Sequence, residues 1–225
     1  MKRAQVSEQD VAAIVVDYLE QLGADVYQEV ECQGGVADLV ARVGAEIWIV
    51  EVKTSFSLAL LLQAMDRRRC AHRVVIAAPY TRNIRDVGVV CEALGIGVWQ
   101  VRVPDPSSTW EQPEVRQLVT SARHNRRPVE LAKRLEPGHK THAKAGAVGA
   151  AGRWTPFRRT CEALAAVVSR EPGVLLKQAI DQIEHHYATD ANARSSMLKW
   201  IEVGRVPGVE LRRTNGAALL YPRAA

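Results

Sequence analysis

The sequence lacks the features that mark membrane and secreted proteins. No stretch approaches the roughly 18 consecutive apolar residues that a membrane helix needs. The N-terminal MKRAQVSEQD has two basic residues but no apolar segment behind them, so we expect no secretory signal. The four cysteines form no C-x-x-C pair, which argues against a disulfide framework. We therefore expect a cytoplasmic protein with reduced, mostly buried thiols and no membrane partner.

A zinc site is also not expected. The histidines include His139, His142 and the pair His185–His186, but no cysteine pair accompanies them at the spacing of zinc ligands. A solvated or structural role is the expected one for these side chains.

Positive charge is present in excess and is concentrated in one part of the chain. The net charge of the 225 residues is +5, whereas residues 123–159 contain ten Lys or Arg and two Glu, a local net charge of +8. Such a run is often only a solvated face. Between two folded regions it is better explained by contacts with phosphates, so we expect an anionic partner.

Apolar periodicity predicts an α/β domain over residues 1–106. Ser7 begins a helix whose apolar residues lie on one side, and Gly23 ends it. The further predicted elements are strands at 25–31, 36–43 and 46–53, a helix at 56–69, a strand at 73–78, a helix at 82–94 and a strand at 97–103. This order implies a mixed sheet flanked by helices, with an antiparallel hairpin and later strands joined by helical crossovers.

Residues 107–153 are predicted to be a basic connection, with a helix at 114–135 and a flexible Gly/Ala/Lys linker at 137–152. Residues 154–225 then form a second unit. Three helices, the second at 175–187 and the third at 190–203, precede a hairpin with an Asn215-Gly216 turn. This is the layout of a winged helix. Winged helices contact DNA or other proteins, and the basic exposed face favours DNA.

The stretch 36–55, VADLVARVGAEIWIVEVKTS, carries the candidate chemistry. Glu51 and Lys53 lie two apart on a predicted strand and share a face, and the turn at Gly44 would bring Asp38 close to Glu51. Two carboxylates held together repel each other unless a cation lies between them, and such oxygen ligands suit Mg²⁺. Surface carboxylates and lysines beside strands are common. However, the strand around IWIVEV is apolar on both faces, so its charged residues need a partner or a ligand.

The following helix adds Gln63, a polar residue in an otherwise apolar run. It is either a residue of the helix flank or part of the site.

With these residues in place, the N-terminal domain resembles the PD-(D/E)xK nuclease superfamily, which includes Holliday-junction resolvases and many restriction enzymes. The run EVKTSFSLALLLQAMDRRRCAHRVVIAAP is similar to a bacterial family of unknown function described as PD-(D/E)xK phosphodiesterases. The resemblance covers residues 8 to 203 and is specific around 51–79. It implies a restriction-endonuclease-like fold.

The resemblance also implies roles for individual residues. Asp38 and Glu51 match the metal-binding acids, Lys53 the catalytic lysine, Gln63 the helix glutamine and Glu29 a supporting acid on the first strand. Many members add a glutamate from the first helix, for which Glu8 and Glu20 are candidates. Ala37 replaces the proline of the motif. We expect Lys53 either to orient or deprotonate the attacking water molecule or to neutralise the charge that develops on the phosphate oxygens, and as a base it would need a lowered pKa.

These features predict a metal-dependent DNA endonuclease or phosphodiesterase that uses Mg²⁺ or Mn²⁺ and is brought to DNA by the winged helix. The alternative is a non-catalytic DNA-binding or regulatory protein on the same scaffold. Resolvases and restriction enzymes often act in pairs, so a homodimer is a further expectation. The residues expected to bind DNA are Arg126, Arg127, Lys140, Lys144, Arg158, Arg159, Arg194, Lys199, Arg212 and Arg213.

Overall fold

The computed structural model describes residues 6–32, 35–80, 84–104, 112–124, 128–141, 143–146, 153–214 and 216–223. The chain divides into two compact units, Met1–Arg153 and Trp154–Ala225. None of the described helices has both the length and the apolar character that crossing a bilayer would require.

The first unit is a six-stranded mixed sheet flanked by helices, so the predicted α/β class is confirmed. Its elements in chain order are α1 (Glu8–Gln21), β1 (Asp25–Cys32), β2 (Gly35–Val43), β3 (Glu46–Val52), α2 (Leu58–Arg67), β4 (Arg73–Pro79), α3 (Ile84–Ala93), β5 (Gly97–Arg102), β6 (Glu114–Val119), α4 (Val129–Lys133) and α5 (Gly138–Thr141). The strands lie in the sheet in the order of the chain. Strands β3, β4 and β5 are parallel, and the other neighbouring pairs are antiparallel.

The two faces of the sheet bury separate apolar cores. On one face, Val11, Val15 and Leu19 of α1 pack with Val50 and Trp99. The other face buries a core that includes Leu60 and Ala64 of α2. Because side chains alternate along β3, its residues divide between the two cores, and this alternation directs Glu51 toward α2. The sheet is therefore packed on both faces, and Glu51 lies on the face that α2 covers.

Local signals explain where the two helices beside the site begin. The Ser7 hydroxyl accepts a hydrogen bond from the Asp10 N–H, and the Asp10 carboxylate accepts one from the Ser7 N–H, so the two residues form a capping box at the start of α1. The Ser57 hydroxyl accepts a hydrogen bond from the Leu60 N–H and caps α2. Glu8, the first residue of α1, contacts Lys53 just after β3, and α2 begins five residues after Lys53.

The predicted basic helix at 114–135 is wrong. Its first part, Glu114–Val119, is strand β6, which pairs antiparallel with β5, and helical structure is found at Val129–Lys133. The open edge of β5 offers unpaired backbone groups, and pairing with them outweighs the helix propensity of this polar segment.

The predicted flexible linker at 137–152 is wrong for the part that the structure describes. Gly138–Thr141 forms the short helix α5 beside β1, and Ala143 and Ala145 are buried. The Ala145 N–H donates to Gln28 Oε1 at 2.9 Å. Small side chains allow this close approach, so the composition that resembles a linker here reflects tight packing.

The second unit contains α6 (Pro156–Arg170), β7 (Val174–Leu175), α7 (Leu176–Asp181), α8 (Asp190–Glu202), β8 (Val209–Thr214) and β9 (Ala217–Pro222). Its strands form a small sheet in the order β7-β9-β8. The helix predicted at 175–187 is shorter than expected, because Ile183 and Tyr187 pack against the core from a non-helical segment. The predicted turn residue Asn215 lies outside the described residues.

Candidate active site

The β2–β3 hairpin brings Asp38 to the end of β3, beside Lys53. The register pairs Leu39 with Val50, and the Val52 N–H donates to Asp38 Oδ2 at 2.8 Å. Lys53 Nζ lies 3.5 Å from the same Asp38 oxygen and 3.1 Å from Glu8 Oε2. The lysine therefore bridges two carboxylates at the end of the strand.

Glu51, two residues before Lys53, is fully buried. Gln63 Nε2 donates to Glu51 Oε2 at 2.6 Å, and Arg67 Nε donates to Glu51 Oε1 at 2.6 Å. Gln63 and Arg67 are four residues apart on α2 and so share one face of that helix. Both oxygens of Glu51 are thus engaged by α2.

Glu29 lies opposite Asp38 on the neighbouring strand, because the register pairs Gln28 with Leu39 and Val30 with Ala37. Its φ of +51° lies in the left-handed region, a conformation that costs a non-glycine residue roughly 1 kcal/mol or more. The Gly146 N–H donates to Glu29 Oε1 at 3.3 Å, and Arg153 Nε donates to Glu29 Oε2 at 3.4 Å. These contacts hold a second buried carboxylate next to Asp38.

The side chains surround an open cleft of about 600 Å³. It is lined by Glu8, Glu29, Gly35, Val36, Asp38, Lys53, Gln63, Arg67, Gly146 and Arg153. Three carboxylates, one lysine and two arginines among these residues make the cleft strongly polar. A polar anion, such as a phosphate that brings its own cation, fits this lining better than an apolar ligand does.

The crowding of carboxylates changes their acidity. Burial, followed by the charge of Asp38, raises the pKa of Glu51 to about 8 despite the contact with Arg67. Burial and Asp38 also raise the pKa of Glu29 above its ordinary value. The charge of Asp38 thus makes both neighbouring acids harder to ionise, as expected for carboxylates held close together.

The expected lowering of the Lys53 pKa is not found. Burial lowers this pKa, but the negative charges of Asp38, Glu8 and Glu51 outweigh it and raise the pKa above its ordinary value. Lys53 is therefore an ammonium group in this arrangement, which favours the predicted role in neutralising charge over the predicted role as a base.

Sequence reasoning missed two arginines of the site and left the choice of glutamate open. Glu8 reaches the cleft, whereas Glu20, the other candidate on α1, is exposed near the far end of that helix. Arg67 belongs to a run of arginines typical of the charged end of a helix. Its spacing of four residues from Gln63 was the available signal that both side chains lie on the same face of the helix. For Arg153 no local signal existed, since only folding brings it to Glu29.

The carboxylates of the cleft are oxygen donors of the kind that Mg²⁺ prefers. Within the described ranges, no three or more His, Cys, Asp or Glu side chains are arranged to hold a metal ion as they stand. Gln63 and Arg67 each donate a hydrogen bond to one oxygen of Glu51. The donor set thus fits Mg²⁺ in its chemistry, and Glu51 must exchange a partner before it can bind one.

The two DNA-binding residues expected on the first unit and described there differ in surroundings. Lys140 forms an ion pair with Asp25 and lies 4.9 Å from the centre of the Tyr27 ring. Lys144 is exposed. Arg126 and Arg127 lie outside the described residues.

The DNA-binding residues expected on the second unit lie on two helices and one strand. Arg158 and Arg159 are on α6, and Arg194 and Lys199 are on α8. On β8, Arg212 pairs with Glu210 and stacks on the ring of Tyr221, and Arg213 pairs with Glu202.

Comparison with known proteins adds one distant similarity. No family model matches the chain, and no curated protein matches it. Among solved structures, a protein of unknown function from Silicibacter pomeroyi is similar to 58% of this chain and is covered over 83% of its own length, with 12% sequence identity and a TM-score of 0.42. This similarity is too weak to assign a family or an activity.

Proposed function

We propose that the chain is a Mg²⁺-dependent DNA phosphodiesterase that acts as an endonuclease. The observation that carries this proposal is that Asp38, Glu51, Lys53 and Gln63 lie together at one end of the hairpin. An acid pair, a lysine two residues after the second acid and a glutamine from the next helix are the parts that the PD-(D/E)xK resemblance requires.

The order of elements supports the same reading. A helix, a hairpin, a helix and a strand, here α1, β2–β3, α2 and β4, form the core that the restriction-endonuclease-like fold would need. Asp38 is on β2 and Glu51 is on β3, and both strands have a neighbour on each side in the sheet. Residues at the ends of these strands line the cleft. A site on such rigid elements holds its side chains in place before a substrate binds.

Asp38 and Glu51 would hold the metal ion, with Glu29 or Glu8 as a supporting acid. A bound Mg²⁺ would polarise the scissile phosphate and lower the pKa of a water molecule. Glu51 would become a ligand by giving up the hydrogen bond from Gln63, which is the more easily exchanged of its two partners because it is neutral. Arg67 would keep the other oxygen of Glu51 in position.

Lys53 would act as a donor to the phosphate. Its ammonium group, held by Asp38 and Glu8, can neutralise negative charge that develops on the phosphate oxygens. The released Gln63 amide could orient the attacking water molecule. By resemblance, the products would be a 5′-phosphate and a 3′-hydroxyl.

The second unit would bring the enzyme to DNA as a winged helix. Its order α6-β7-α7-α8-β8-β9, with β7 paired to the returning strand β9, supports this assignment. In such a unit α8 would be the recognition helix, and Arg194 and Lys199 would face the phosphates or bases. The β8–β9 hairpin would be the wing.

The Glu51–Arg67 pair favours a second candidate, a non-catalytic DNA-binding protein that keeps a nuclease scaffold. In that case the pair would be permanent and would serve stability alone. Incubation of the full chain with supercoiled, linear and branched DNA, with Mg²⁺ or Mn²⁺, separates the two. Metal-dependent cleavage supports the enzyme, whereas binding without cleavage of any substrate supports the scaffold protein.

A further inference from the structure

A second polar cavity, of about 410 Å³, lies at the ends of β1 and α2, where two cysteines meet. Cys32 is the last residue of β1, and Cys70 follows the end of α2. Both thiols line this cavity together with Arg69 and Arg134. The two cysteines are far apart in the sequence, so it is the fold that brings their thiols into one cavity.

The two thiols line the same cavity and are near enough for each to shift the pKa of the other. As a thiol, Cys70 can also donate to the backbone carbonyl of Arg67, 3.4 Å away. Cys32 is buried, whereas Cys70 is partly exposed. A small reagent that enters the cavity therefore reaches Cys70 first.

Positive charge surrounds the pair. The hydrogen bond from Cys32, together with the guanidinium groups of Arg67 and Arg134, lowers the pKa of Cys70 to about 7 although burial opposes this. The hydrogen bond to Cys70 and burial raise the pKa of Cys32. Cys70 is the more exposed of the two thiols and lies beside these guanidinium groups, so it is the one that presents a thiolate to a reagent in the cavity.

The other two cysteines are different and provide internal controls. Cys91 and Cys161 are 0% and 2% exposed. Burial raises the pKa of each thiol to about 11. Neither is expected to react with a small oxidant.

We propose that Cys70 and Cys32 form an oxidation site in which Cys70 reacts with hydrogen peroxide and Cys32 resolves the product to a disulfide. The Cys70 thiolate attacks one peroxide oxygen, the O–O bond breaks, and hydroxide leaves, which gives a sulfenic acid. The Cys32 sulfur then attacks the Cys70 sulfur, the S–O bond breaks, and water leaves with the Cys32 proton. The two thiols lose two electrons in total, and the peroxide gains them.

The cysteine pair is near Glu51 and its partners Gln63 and Arg67. The proposed oxidation does not require that Glu51 take part in catalysis. A disulfide would fix the end of β1 to the residue three positions after Arg67, which holds Glu51. Oxidation would therefore tie the end of α2 to the end of β1 and fix the position of α2 relative to the sheet.

The test uses the full chain, reduced with a dithiol, freed of it, and exposed to hydrogen peroxide near neutral pH. Peptides are analysed by mass spectrometry without reduction. The expected product is the Cys32 peptide joined to the Cys70 peptide, lighter than the two reduced peptides by two hydrogen atoms and separated again by a dithiol. Absence of this product, or cross-links that involve Cys91 or Cys161 to the same extent, would overturn the proposal.

Variants assign the two roles. In Cys32→Ser, peroxide should leave a sulfenic acid at Cys70 that a dimedone probe labels at least about ten-fold faster than Cys161. In Cys70→Ser, Cys32 should not be labelled. Cys161→Ser should behave as the unchanged protein. Equal labelling of Cys32 and Cys70 in the two single variants would contradict the assignment, and the disulfide assay needs no variant if either substitution prevents folding.

Discussion

Arg67 Nε donates to Glu51 Oε1 at 2.6 Å, and neither side chain is more than 2% exposed. A further nitrogen of Arg67, Nη2, donates to the Val36 carbonyl at 2.7 Å. One guanidinium group therefore joins α2 to β3 and β2, the three elements that position the site. Because a charge left alone in a dry core is costly, removal of one partner should cost more than removal of both.

The first prediction concerns this pair. Arg67→Met should lower the free energy of unfolding by about 3–5 kcal/mol, because it leaves Glu51 buried without its guanidinium partner. Arg69→Met, an exposed arginine nearby, should change it by less than about 0.5 kcal/mol. Urea unfolding measures both. Adding Glu51→Leu to Arg67→Met should recover most of the loss, and an Arg67→Met protein as stable as the parent would contradict the account.

The loss of unfolding free energy in Arg67→Met should also depend on pH. Burial and Asp38 raise the pKa of Glu51 to about 8, above the 4.5 of an ordinary glutamate. The folded protein therefore binds this proton more tightly than the unfolded chain does, and the stabilisation falls as pH rises from 4.5 through this value. Arg67→Met should accordingly be least destabilising at acidic pH, where Glu51 is neutral, and most destabilising at alkaline pH.

The second prediction concerns metal binding. If Asp38 is a ligand, Mg²⁺ at about 100 times its dissociation constant should stabilise the protein by about 2.7 kcal/mol. Asp38→Asn should abolish this gain, whereas Asp17→Asn, on the exposed side of α1, should keep it. Thermal unfolding with and without Mg²⁺ measures the difference. An undiminished gain in Asp38→Asn would remove Asp38 from the metal site.

The third prediction concerns the segment that packs on α1. A Cβ atom at Gly146, with φ +76°, would lie 2.8 Å from the Gln9 nitrogen and 2.8 Å from the Glu8 Cβ. Gly23, with φ +77°, has nothing within 4 Å of such an atom. Alanine at either position costs about 1–2 kcal/mol for the left-handed backbone. Gly146→Ala should cost about 1–3 kcal/mol more because of the clash.

Denaturant unfolding of Gly146→Ala and Gly23→Ala side by side gives this difference. Equal destabilisation of the two variants would mean that Gly146 does not stay packed against α1 in solution.

Much of the site follows from local sequence, since strand alternation places Glu51 and Lys53, and a turn at Gly44 returns the chain past Asp38. Gln63 follows from the helix that must cover the sheet. By contrast, Glu114–Val119 becomes a strand only because β5 has an open edge, and no pattern within that segment records this. The positions of Arg67 and Arg153 likewise depend on elements distant in sequence.

The fourth prediction concerns DNA binding by the second unit. Lys199→Glu on α8 should weaken binding to duplex DNA and reduce the slope of log affinity against log salt concentration by about one for each phosphate that the variant no longer binds. Lys177→Glu on α7 makes the same change of charge at another exposed position. Equal effects of the two substitutions would indicate general attraction to DNA instead of specific binding by α8.

Cleavage by matched lysine variants tests the central claim most directly. Lys53 contacts Asp38 and Glu8 in the cleft, whereas Lys133 pairs with Glu130 on the surface. With Mg²⁺ and supercoiled, linear and branched DNA, the parent protein and Lys133→Met should cleave at similar rates. Lys53→Met should be slower by at least about a hundred-fold, because a donor to the developing charge is gone. Full cleavage by Lys53→Met, or no cleavage by the parent protein on any substrate, would contradict the account.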